Sequence, residues 1–222
     1  GQTIGIFGYT GSGKTTLMSI LSRVYDPPPN TVFLNGVDIL DIPVHTYWSI
    51  VALSRQSSFL FSQTIRENIA LNTLESENVD EPRLVQAVRD AAFQSEIEHF
   101  TNGLDTRVGE RGVTLSGGQR QRASLARLFY RDFDVVLLDD VMSAVDHATE
   151  NTLIDAIYRR SQTQTKLLVS HRTSVLTRAD RILVLKDGQL IDEGPHDSLI
   201  QRVGPYQEAF ELQQEESSRS ST

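Results

Sequence analysis

The sequence predicts an α/β fold with a parallel sheet, and three observations support this. A short apolar run at residues 3–7 ends in a glycine-rich turn and is followed by an amphipathic helix, the order strand, loop, helix. Continuous apolar runs at 135–138 and 166–169 are typical of parallel strands buried on both faces. Between these parts, residues from about 64 to 129 show mostly helical periodicity, which predicts a helical subdomain inserted into the sheet domain.

Composition excludes several classes of protein. The chain has 222 residues, 39% of them hydrophobic, and 21 Lys and Arg against 29 Asp and Glu give a formal net charge of −8. Without cysteine it forms no disulfide and no thiolate metal site. No apolar run reaches the roughly 18 residues that predict a membrane span. The acidic balance argues against a dedicated nucleic-acid binder, although the basic residues Arg120, Arg122 and Arg127 need an explanation.

Local patterns predict the elements around the first loop. Apolar residues at helical spacing define the first helix: Leu17, Ile20, Leu21 and Val24. Three prolines at 27–29 are expected to stop this helix. The pair Asn35-Gly36 between short β-prone runs predicts a hairpin, and residues 51–53 predict a further strand.

The later elements follow from the same rules. Helical spacing marks one helix with Leu84, Val85, Val88 and Ala91 and another with Leu125, Ala126 and Phe129. A helix at about 149–158 separates the two late strands. Residues 181–185 and 189–192 flank Asp187-Gly188 and predict a hairpin. The segment 215–222 is rich in Glu and Ser and is expected to be frayed.

Residues 8–15, GYTGSGKT, match the pattern G-x-x-x-x-G-K-[ST] between a predicted strand and a predicted helix. Glycines let several backbone N–H groups converge on phosphate oxygens, and the following helix N-terminus favours negative charge. Lys14 would supply a positive charge to the β- and γ-phosphates and Thr15 a hydroxyl ligand to Mg²⁺. The alternative is a fortuitous glycine-rich turn.

Two carboxylates, Asp139 and Asp140, follow the apolar run 135–138. Phosphate-transferring enzymes bring an acid to the metal ion in this way, which makes Asp139 a candidate Mg²⁺ ligand. Acidic residues also end strands as solvated turn groups, and the pair alone does not separate these readings.

A second glycine-rich segment carries the most specific pattern. Its residues are Leu115, Ser116, Gly117, Gly118 and Gln119, and Arg120-Gln121-Arg122 follows. It predicts a second anion-binding loop that opens a helix, with a simple glycine-rich helix cap as the alternative. One fold needs two phosphate-binding loops so far apart in sequence when each nucleotide is held between two copies of it.

With these motifs in this order, the chain resembles the nucleotide-binding domain of an ATP-binding cassette (ABC) transporter over essentially its whole length. The resemblance implies a P-loop NTPase (RecA-like) core at residues 1–67 and 132–222, with the helical signature subdomain at 68–131. It also implies that the domain binds ATP and Mg²⁺.

The resemblance also assigns roles to individual residues. Nucleotide binding falls to Gly8, Thr10, Gly11, Ser12, Gly13, Lys14, Thr15 and Thr16 of the Walker A loop. The Walker B strand ends at the metal ligand Asp139, and Asp140 and His171 are catalytic, His171 as the switch histidine that contacts the γ-phosphate. Gln56 is the Q-loop glutamine, a catalytic residue and Mg²⁺ ligand at a hinge. Residues 115–119 act in trans as the signature, and Ser143, Ala144 and Asp146 form the D-loop of the dimer.

Three segments resemble the exporter type of the family: 59–61 and 64–69 after Gln56, and 106–112 before the signature. In exporters the last of these contacts transmembrane coupling helices, whereas a solvated charged loop is the alternative. The implied partners are a second, non-identical nucleotide-binding domain and transmembrane domains in cis or trans, with no nucleic acid. The implied location is the cytoplasmic face of the inner (plasma) membrane, through transmembrane domains absent from this chain. The absence of heptads argues against the chromosome-maintenance ATPases.

Two departures from the family pattern matter. The residue after the Walker B aspartate is usually a glutamate that polarises the attacking water, but here it is Asp140. A carboxylate set back by roughly 1 Å can cost about 100-fold in rate. The pattern resembles the degenerate half of a heterodimeric bacterial exporter. Because the family's adenine-stacking aromatic lies well upstream of Walker A, we expect the chain to be N-terminally incomplete.

Three functions are therefore compared. The first is an ATPase domain that dimerises around Mg-ATP to power export, with turnover reduced by Asp140. The second is a regulatory half that holds ATP while the partner's site hydrolyses. The third, a soluble ABC ATPase of DNA repair or translation, is the weakest because the exporter-type segments are present.

Overall fold

The computed structural model describes residues 1–56, 59–71, 79–109, 112–143, 145, 147–159 and 163–220. Its strands are β1 (Thr3–Phe7), β2 (Phe33–Leu34), β3 (Val37–Asp38), β4 (Val51–Ser54), β5 (Val135–Asp139), β6 (Thr165–Val169), β7 (Arg181–Lys186) and β8 (Gln189–Gly194). Its helices are α1 (Lys14–Leu21), α2 (Val44–Ile50), α3 (Ile65–Ile69), α4 (Glu81–Asp90), α5 (Gln94–His99), α6 (Gly117–Tyr130), α7 (His147–Arg159), α8 (Thr173–Leu176), α9 (His196–Leu199) and α10 (Pro205–Ser220). Short 3₁₀ turns lie at Ile39–Asp41 and Gly103–Asp105.

Six strands form one sheet in the order β4-β5-β6-β1-β7-β8. Strands β5, β6, β1 and β7 are parallel, and β8 returns antiparallel to β7. In the register, Val169 of β6 lies opposite Ile6 of β1 on one side and Asp139 of β5 on the other. The predicted α/β class with a parallel sheet is confirmed.

The chain divides into two compact units. The sheet unit comprises Gly1–Leu53, Phe133–Asp140 and Ser161–Thr222, and the helical unit comprises Ser54–Asp132 and Val141–Arg160. The helical unit therefore contains the predicted subdomain 68–131 and also residues 54–67 and 141–160, because α3 packs along α6 and α7 contacts α4. The functional boundaries at 67/68 and 131/132 stay predictions.

The first helix is shorter than its apolar spacing predicts. Helix α1 ends at Leu21, and Val24 lies outside it with 45% of its surface exposed. The prolines do not stop the helix, because Arg23 already adopts a left-handed φ of 53°. The Arg23 guanidinium donates to the carbonyls of Ile39 at 2.8 Å and Ile42 at 2.6 Å. The helix itself ends locally, because the N–H of Val24 donates to the carbonyl of Ser19 at 2.9 Å and the N–H of Arg23 to that of Ile20 at 3.0 Å.

The two hairpins are confirmed. Asn35 and Gly36 join β2 to β3 with φ of 50° and 83°, and Asp187 and Gly188 join β7 to β8 with φ of 49° and 76°. Two successive positive φ angles are the mark of a type I′ turn, whose twist matches that of the paired strands. The strand predicted at 51–53 is β4, one residue longer.

The predicted buried faces of α4 and α6 are confirmed with one exception, Val85. Helix α6 buries Leu125, Ala126 and Phe129. Helix α4 buries Leu84 and Val88, and Ala91 just beyond it is also buried. Val85 is 43% exposed, so its place on the buried face was wrong: the buried stripe of α4 continues through Ala87.

The segment expected to be frayed is helical as far as the structure describes it, and its fraying stays a prediction. Helix α10 continues to Ser220, well past residue 215. Glu215 and Arg219 lie one turn apart with 3.7 Å between Oε2 and Nη2, an i,i+4 ion pair that favours the helix. The predicted helix at 149–158 falls within α7.

The core of the sheet unit joins strands to helix α1. It contains Ile6, Met18, Ile39, Leu137 and Val169, all nearly or fully buried. We expect Leu137→Ala to lower the free energy of unfolding by about 2–5 kcal/mol, since it removes buried methyl groups and leaves a cavity. Leu190→Ala is the control, because 52% of Leu190 is exposed in β8. Urea unfolding of both variants measures the difference, and equal losses would contradict this core assignment.

Candidate functional site

The sheet brings three predicted site segments to one edge. Gly8 follows β1, Asp139 ends β5, and His171 lies two residues beyond β6, all within the sheet unit. Because these strands are parallel, their carboxyl ends meet at the same edge, where α/β proteins bind ligands.

The loop between β1 and α1 depends on three glycines. Gly11 and Gly13 have φ of 86° and 94°, in the left-handed region that glycine adopts without strain. At Gly8 the constraint is space: a Cβ there would collide with the carbonyl of Leu185 and stand 2.5 Å from the Oγ of Ser12. Ser12 itself is buried, and its N–H donates to the carbonyl of Tyr9 at 3.1 Å. The loop is thus a tight, glycine-dependent turn.

Helix α1 begins without a side-chain cap. Its N-cap is Gly13, which has no side chain to accept a hydrogen bond, and the first intrahelical bond to Gly13 comes from the N–H of Leu17. The N–H groups of the first helical turn, at Lys14, Thr15 and Thr16, therefore have no intrahelical acceptor. Together with the helix dipole, they suit the oxygens of a phosphate. Thr10 and Thr16 are exposed beside them.

Lys14 folds back over this loop. Its Nζ donates to the carbonyls of Gly8 at 2.6 Å and Tyr9 at 2.9 Å, and to the Oγ of Ser12 at 3.2 Å. Burial lowers the pKa of the Lys14 ammonium, while the carboxylates of Asp140 and Asp139 act in the opposite direction. The cation therefore stands at the loop with its three hydrogens directed inward.

Thr15 and Asp139 come together across 124 positions of sequence. The Thr15 hydroxyl lies 3.5 Å from Oδ1 of Asp139, whose side chain is buried at the end of β5. One hydroxyl and one carboxylate are the oxygen donors from which Mg²⁺ is held when ATP phosphates complete its shell. Among the described residues, no group of three or more His, Asp or Glu side chains is placed to hold a metal ion. The donor set therefore fits Mg²⁺ bound with a nucleotide.

Asp140 and His171 form a pair at the same edge. Nδ1 of His171 lies 3.1 Å from Oδ1 of Asp140. Asp140 has a left-handed φ of 49°, uncommon for a residue with a side chain and frequent at functional sites. Its N–H donates to the carbonyl of Val169 at 3.1 Å, which fixes the turn. The His171 ring is 57% exposed, so Nε2 can face a ligand while Nδ1 is held.

The signature segment opens α6 and caps it with its own side chains. The Oγ of Ser116 accepts from the N–H of Gln119 at 3.2 Å, and Oε1 of Gln119 accepts from the N–H of Ser116 at 2.9 Å. This reciprocal capping box is encoded by S-x-x-Q, a pattern the sequence analysis overlooked. Leu115 is buried, while Ser116 and Gly117 are exposed. The sequence left two interpretations open, an anion-binding loop and a helix cap, and the structure contains the cap. An anion would meet only backbone N–H groups that the capping box does not use.

The basic residues of α6 are used within the helical unit. Arg120 donates to the carbonyl of Leu115 at 2.6 Å, and Arg127 donates to the carbonyl of Asn68 at 2.7 Å. Arg122 forms an ion pair with Glu96. Burial lowers the pKa of the Arg127 guanidinium. These cations hold helices and loops together, which explains their presence in an acidic chain.

The other predicted residues lie in the helical unit. Gln56 is exposed two residues beyond β4, and Ser143 is half-buried. Ala144 and Asp146 of the predicted D-loop lie outside the described residues, as do positions 110 and 111 of the exporter-type segment. In that segment Gly109 has a φ of 104° and faces Ser62, so its glycine serves the local turn.

Comparison with known proteins agrees with this geometry. The family model described as ABC transporter matches residues 1–143. The chain belongs to the ABC transporter family. An ATP-dependent lipid A-core flippase of Alcanivorax borkumensis (strain ATCC 700651 / DSM 11573 / NCIMB 13689 / SK2) is 36% identical over 96% of this chain and 36% of its own length. A sophorolipid transporter of Starmerella bombicola is also 36% identical, over 96% of this chain and 17% of its own length.

A solved structure supports the same assignment. The structure titled "a bacterial Atm1-family ABC exporter with ATP bound" matches with a TM-score of 0.88 and 32% identity, over 96% of this chain and 37% of that one. This ABC chain thus corresponds to the ATP-binding domain of exporters. It has the ABC ATPase fold that the resemblance implies. It spans about a third of the length of the flippase and of the solved exporter. Within the ranges that the structure describes, no helix is long and apolar enough to cross a membrane.

Sequence reasoning missed one residue that touches the switch-histidine segment. Gln213 of α10 donates to the carbonyl of His171 at 2.9 Å. It lies close to the segment expected to be frayed, and no local pattern singles it out. Only the fold places it there.

The Gly8 contact gives a test of the loop. We expect Gly8→Ala to weaken ATP binding by about tenfold or more, because the added Cβ forces the loop away from Leu185 and Ser12. Gly204→Ala is the control, since a Cβ there has open space. Titration with a fluorescent ATP analogue measures both, and unchanged affinity in Gly8→Ala would show that the close approach is not needed.

Proposed function

We propose that this chain binds Mg-ATP between its own Walker A loop and the signature of a second nucleotide-binding domain, and that closure of this pair powers export. The contact of Thr15 with Asp139 carries the proposal, since it joins the phosphate loop to a buried carboxylate. ATP bridging two domains stabilises only their closed state, so binding does the switching and hydrolysis resets it. The proposal assigns no transported substrate, because the names of the relatives given above specify different substrates.

The residues divide the work at the nucleotide. The amides after Gly13 and the ammonium of Lys14 hold the phosphates, and Thr10, Gly11 and Ser12 shape the loop. Thr15, Asp139 and Gln56 would hold Mg²⁺, which supplies charge neutralisation at the phosphates when bound. His171, held at Nδ1 by Asp140, directs Nε2 toward the γ-phosphate.

We propose further that hydrolysis at this chain's own site is slow. Asp140 is shorter than the family's glutamate by one methylene, and its Oδ1 already contacts His171. The carboxylate is thereby set back from an attacking water, by a distance that can cost about 100-fold. The chain then acts as the degenerate half of a heterodimer, with its own signature serving the partner's competent site. The alternative is a mainly regulatory role, in which this chain binds ATP and its own site hydrolyses almost none.

Gly117 supports a signature that acts in trans. Apart from its chain neighbours and the backbone of its own helix, no heavy atom of the described residues lies within 4 Å of a Cβ built at Gly117, so the packing of the described residues does not require glycine there. Gly117 is the first residue of α6, and glycine is a poor helix former, with a cost of up to about 1 kcal/mol relative to alanine in a helix interior. Gly117 therefore favours neither the helix nor the packing around it. We explain it by a group that approaches from outside, here the partner's nucleotide.

The same proposal places the chain at a membrane through its partners. Phe59 and Phe61 in the exporter-type segment are 68% and 44% exposed, and their rings meet edge to face at 5.1 Å. An exposed aromatic pair of this kind suits a protein partner. We assign it to transmembrane domains, in cis or trans, on the cytoplasmic face of the inner (plasma) membrane. No nucleic acid is part of the proposal.

Asp140→Glu tests the impaired base. We expect it to raise ATP turnover by about tenfold or more, because the added methylene moves the carboxylate toward the water. Phosphate release with Mg-ATP measures the rate, with Asp140→Asn as the matched variant that lacks a base. Unchanged turnover in Asp140→Glu would contradict the idea that side-chain length limits the site.

Mixing with a partner domain that carries an intact Walker B glutamate separates the two functions. If hydrolysis appears only on mixing and largely survives Lys14→Ala in this chain, the chain is a regulatory half that lends its signature. If this chain alone hydrolyses ATP and Lys14→Ala abolishes the activity, Asp140 is a competent base and the asymmetric proposal fails.

Gly117→Ala tests the signature. We expect the stability of the isolated chain to stay equal or rise by up to about 1 kcal/mol, because alanine favours the helix. We expect the mixed pair to lose hydrolysis, since the new methyl group meets the partner's nucleotide. Thermal unfolding and phosphate release measure the two effects, and full activity of the mixed pair would exclude a trans role for this position.

A further inference from the structure

The segment that carries His171 is fixed mainly through its backbone. It runs from Ser170, directly after β6, to Thr173, the first residue of α8. The N–H of Ser170 donates to the carbonyl of Ile6 at 3.3 Å, and the N–H of Arg172 donates to the Oγ of Ser170 at 3.0 Å. These bonds hold the beginning of the segment to the sheet. The carbonyl of His171 and the start of α8 need other partners.

A single amide on α10 supplies them. Nε2 of Gln213 donates to the carbonyl of His171 at 2.9 Å. Oε1 of Gln213 accepts from the N–H of Thr173 at 2.9 Å and from its hydroxyl at 3.0 Å. Thr173 is only 2% exposed, and the N-cap residue of α8, Arg172, makes no side-chain cap. Gln213 therefore caps α8 and holds the His171 backbone at once.

Helix α10 is itself anchored beside the phosphate loop. Tyr206, near its start, is buried, and its ring meets that of Phe7 edge to face at 5.1 Å. Phe7 is the residue directly before Gly8. The hydroxyl of Tyr206 also lies 2.9 Å from Nδ1 of His196. One helix thus contacts the strand leading to the Walker A loop and, two turns later, the segment of the switch histidine.

We infer that Gln213 is a positioning residue, which sets the orientation of His171 toward Asp140 and the γ-phosphate by holding the backbone on both sides of Arg172. The inference rests on the proposed function, because it gives His171 its role at the nucleotide. Gln213 touches neither nucleotide nor the reacting atoms. Its effect passes through the His171 carbonyl and the Thr173 amide, both of which it holds from α10.

Replacing the amide separates positioning from ATP binding. We expect Gln213→Ala to lower kcat for the slow ATP turnover of this chain's own site, measured without a partner domain, about tenfold, since a histidine displaced by a fraction of an ångström loses its alignment. KM for ATP should stay within about twofold, because the Walker A loop is untouched. Gln213→Glu keeps the acceptor for Thr173 and loses the donor to His171, so we expect it to restore α8 but only part of kcat. Gln214→Ala, an exposed glutamine one position along, is the matched control.

Two measurements on the 222-residue chain without nucleotide make the test independent of turnover. In Gln213→Ala we expect the Thr173 amide to exchange its hydrogen about tenfold faster or more, because its acceptor is gone. We also expect the ¹⁵N shifts of the His171 ring to move at fixed pH, because its contact with Asp140 loosens. Gln214→Ala should change neither.

The outcomes are distinct. Altered His171 ring shifts and faster Thr173 exchange in Gln213→Ala, absent in Gln214→Ala, support the inference. A folded Gln213→Ala protein with unchanged His171 shifts and unchanged kcat overturns it, even if Thr173 exchanges faster. If Gln213→Ala does not fold, the His171 ring shifts and kcat of Gln213→Glu decide in the same way, because that variant loses only the donor to His171. Failure of the wild-type chain to bind ATP would count against the proposed function and leave the comparison of His171 shifts intact.

Discussion

The backbone pairing of β5, β6 and β1 is the constraint on which the site depends. Val169 lies between Ile6 and Asp139, and beyond this row the N–H of Asp140 still reaches the carbonyl of Val169. The candidate site residues therefore lie where the paired strands end: the glycine-rich loop follows β1, Asp139 and Asp140 lie at the end of β5, and His171 follows β6. A slip of one residue in this register would turn every side chain to the opposite face of the sheet and separate Asp139 from Thr15.

The two glycine-rich loops begin their helices in different ways, although both are rich in glycine and serine. Helix α1 begins at a glycine N-cap with no side chain, which leaves the amides of its first turn to a ligand. Helix α6 begins at Ser116, whose side chain and that of Gln119 cap each other's backbone. The first loop therefore suits an anion, as the proposed ATP site requires. The second is already stable without one, which agrees with a proposed role as a preformed surface that a partner's nucleotide meets.

Charge at the sheet edge is balanced among a few groups. The Lys14 ammonium is partly buried, a condition that lowers its pKa, and the carboxylates of Asp139 and Asp140 offset this. Asp140 also accepts the contact from His171, so one short carboxylate serves two neighbours. The family's glutamate would carry its charge one methylene further into the site. In the proposed function, side-chain length at position 140, and not a missing group, makes this site slow.

The sequence by itself determined the α/β class, the parallel strands, both hairpins and the family, because periodicity, turn residues and the Walker and signature patterns are local. It also singled out Lys14, Asp139, Asp140 and His171 as site residues, whose roles stay predictions. Only the tertiary structure decided the contacts of Arg23, just after α1, with carbonyls 16 and 19 residues away. It alone brought Gln213 to His171, across 42 positions of sequence. Contacts between distant segments leave no periodic trace in either segment, so they follow from packing and not from pattern.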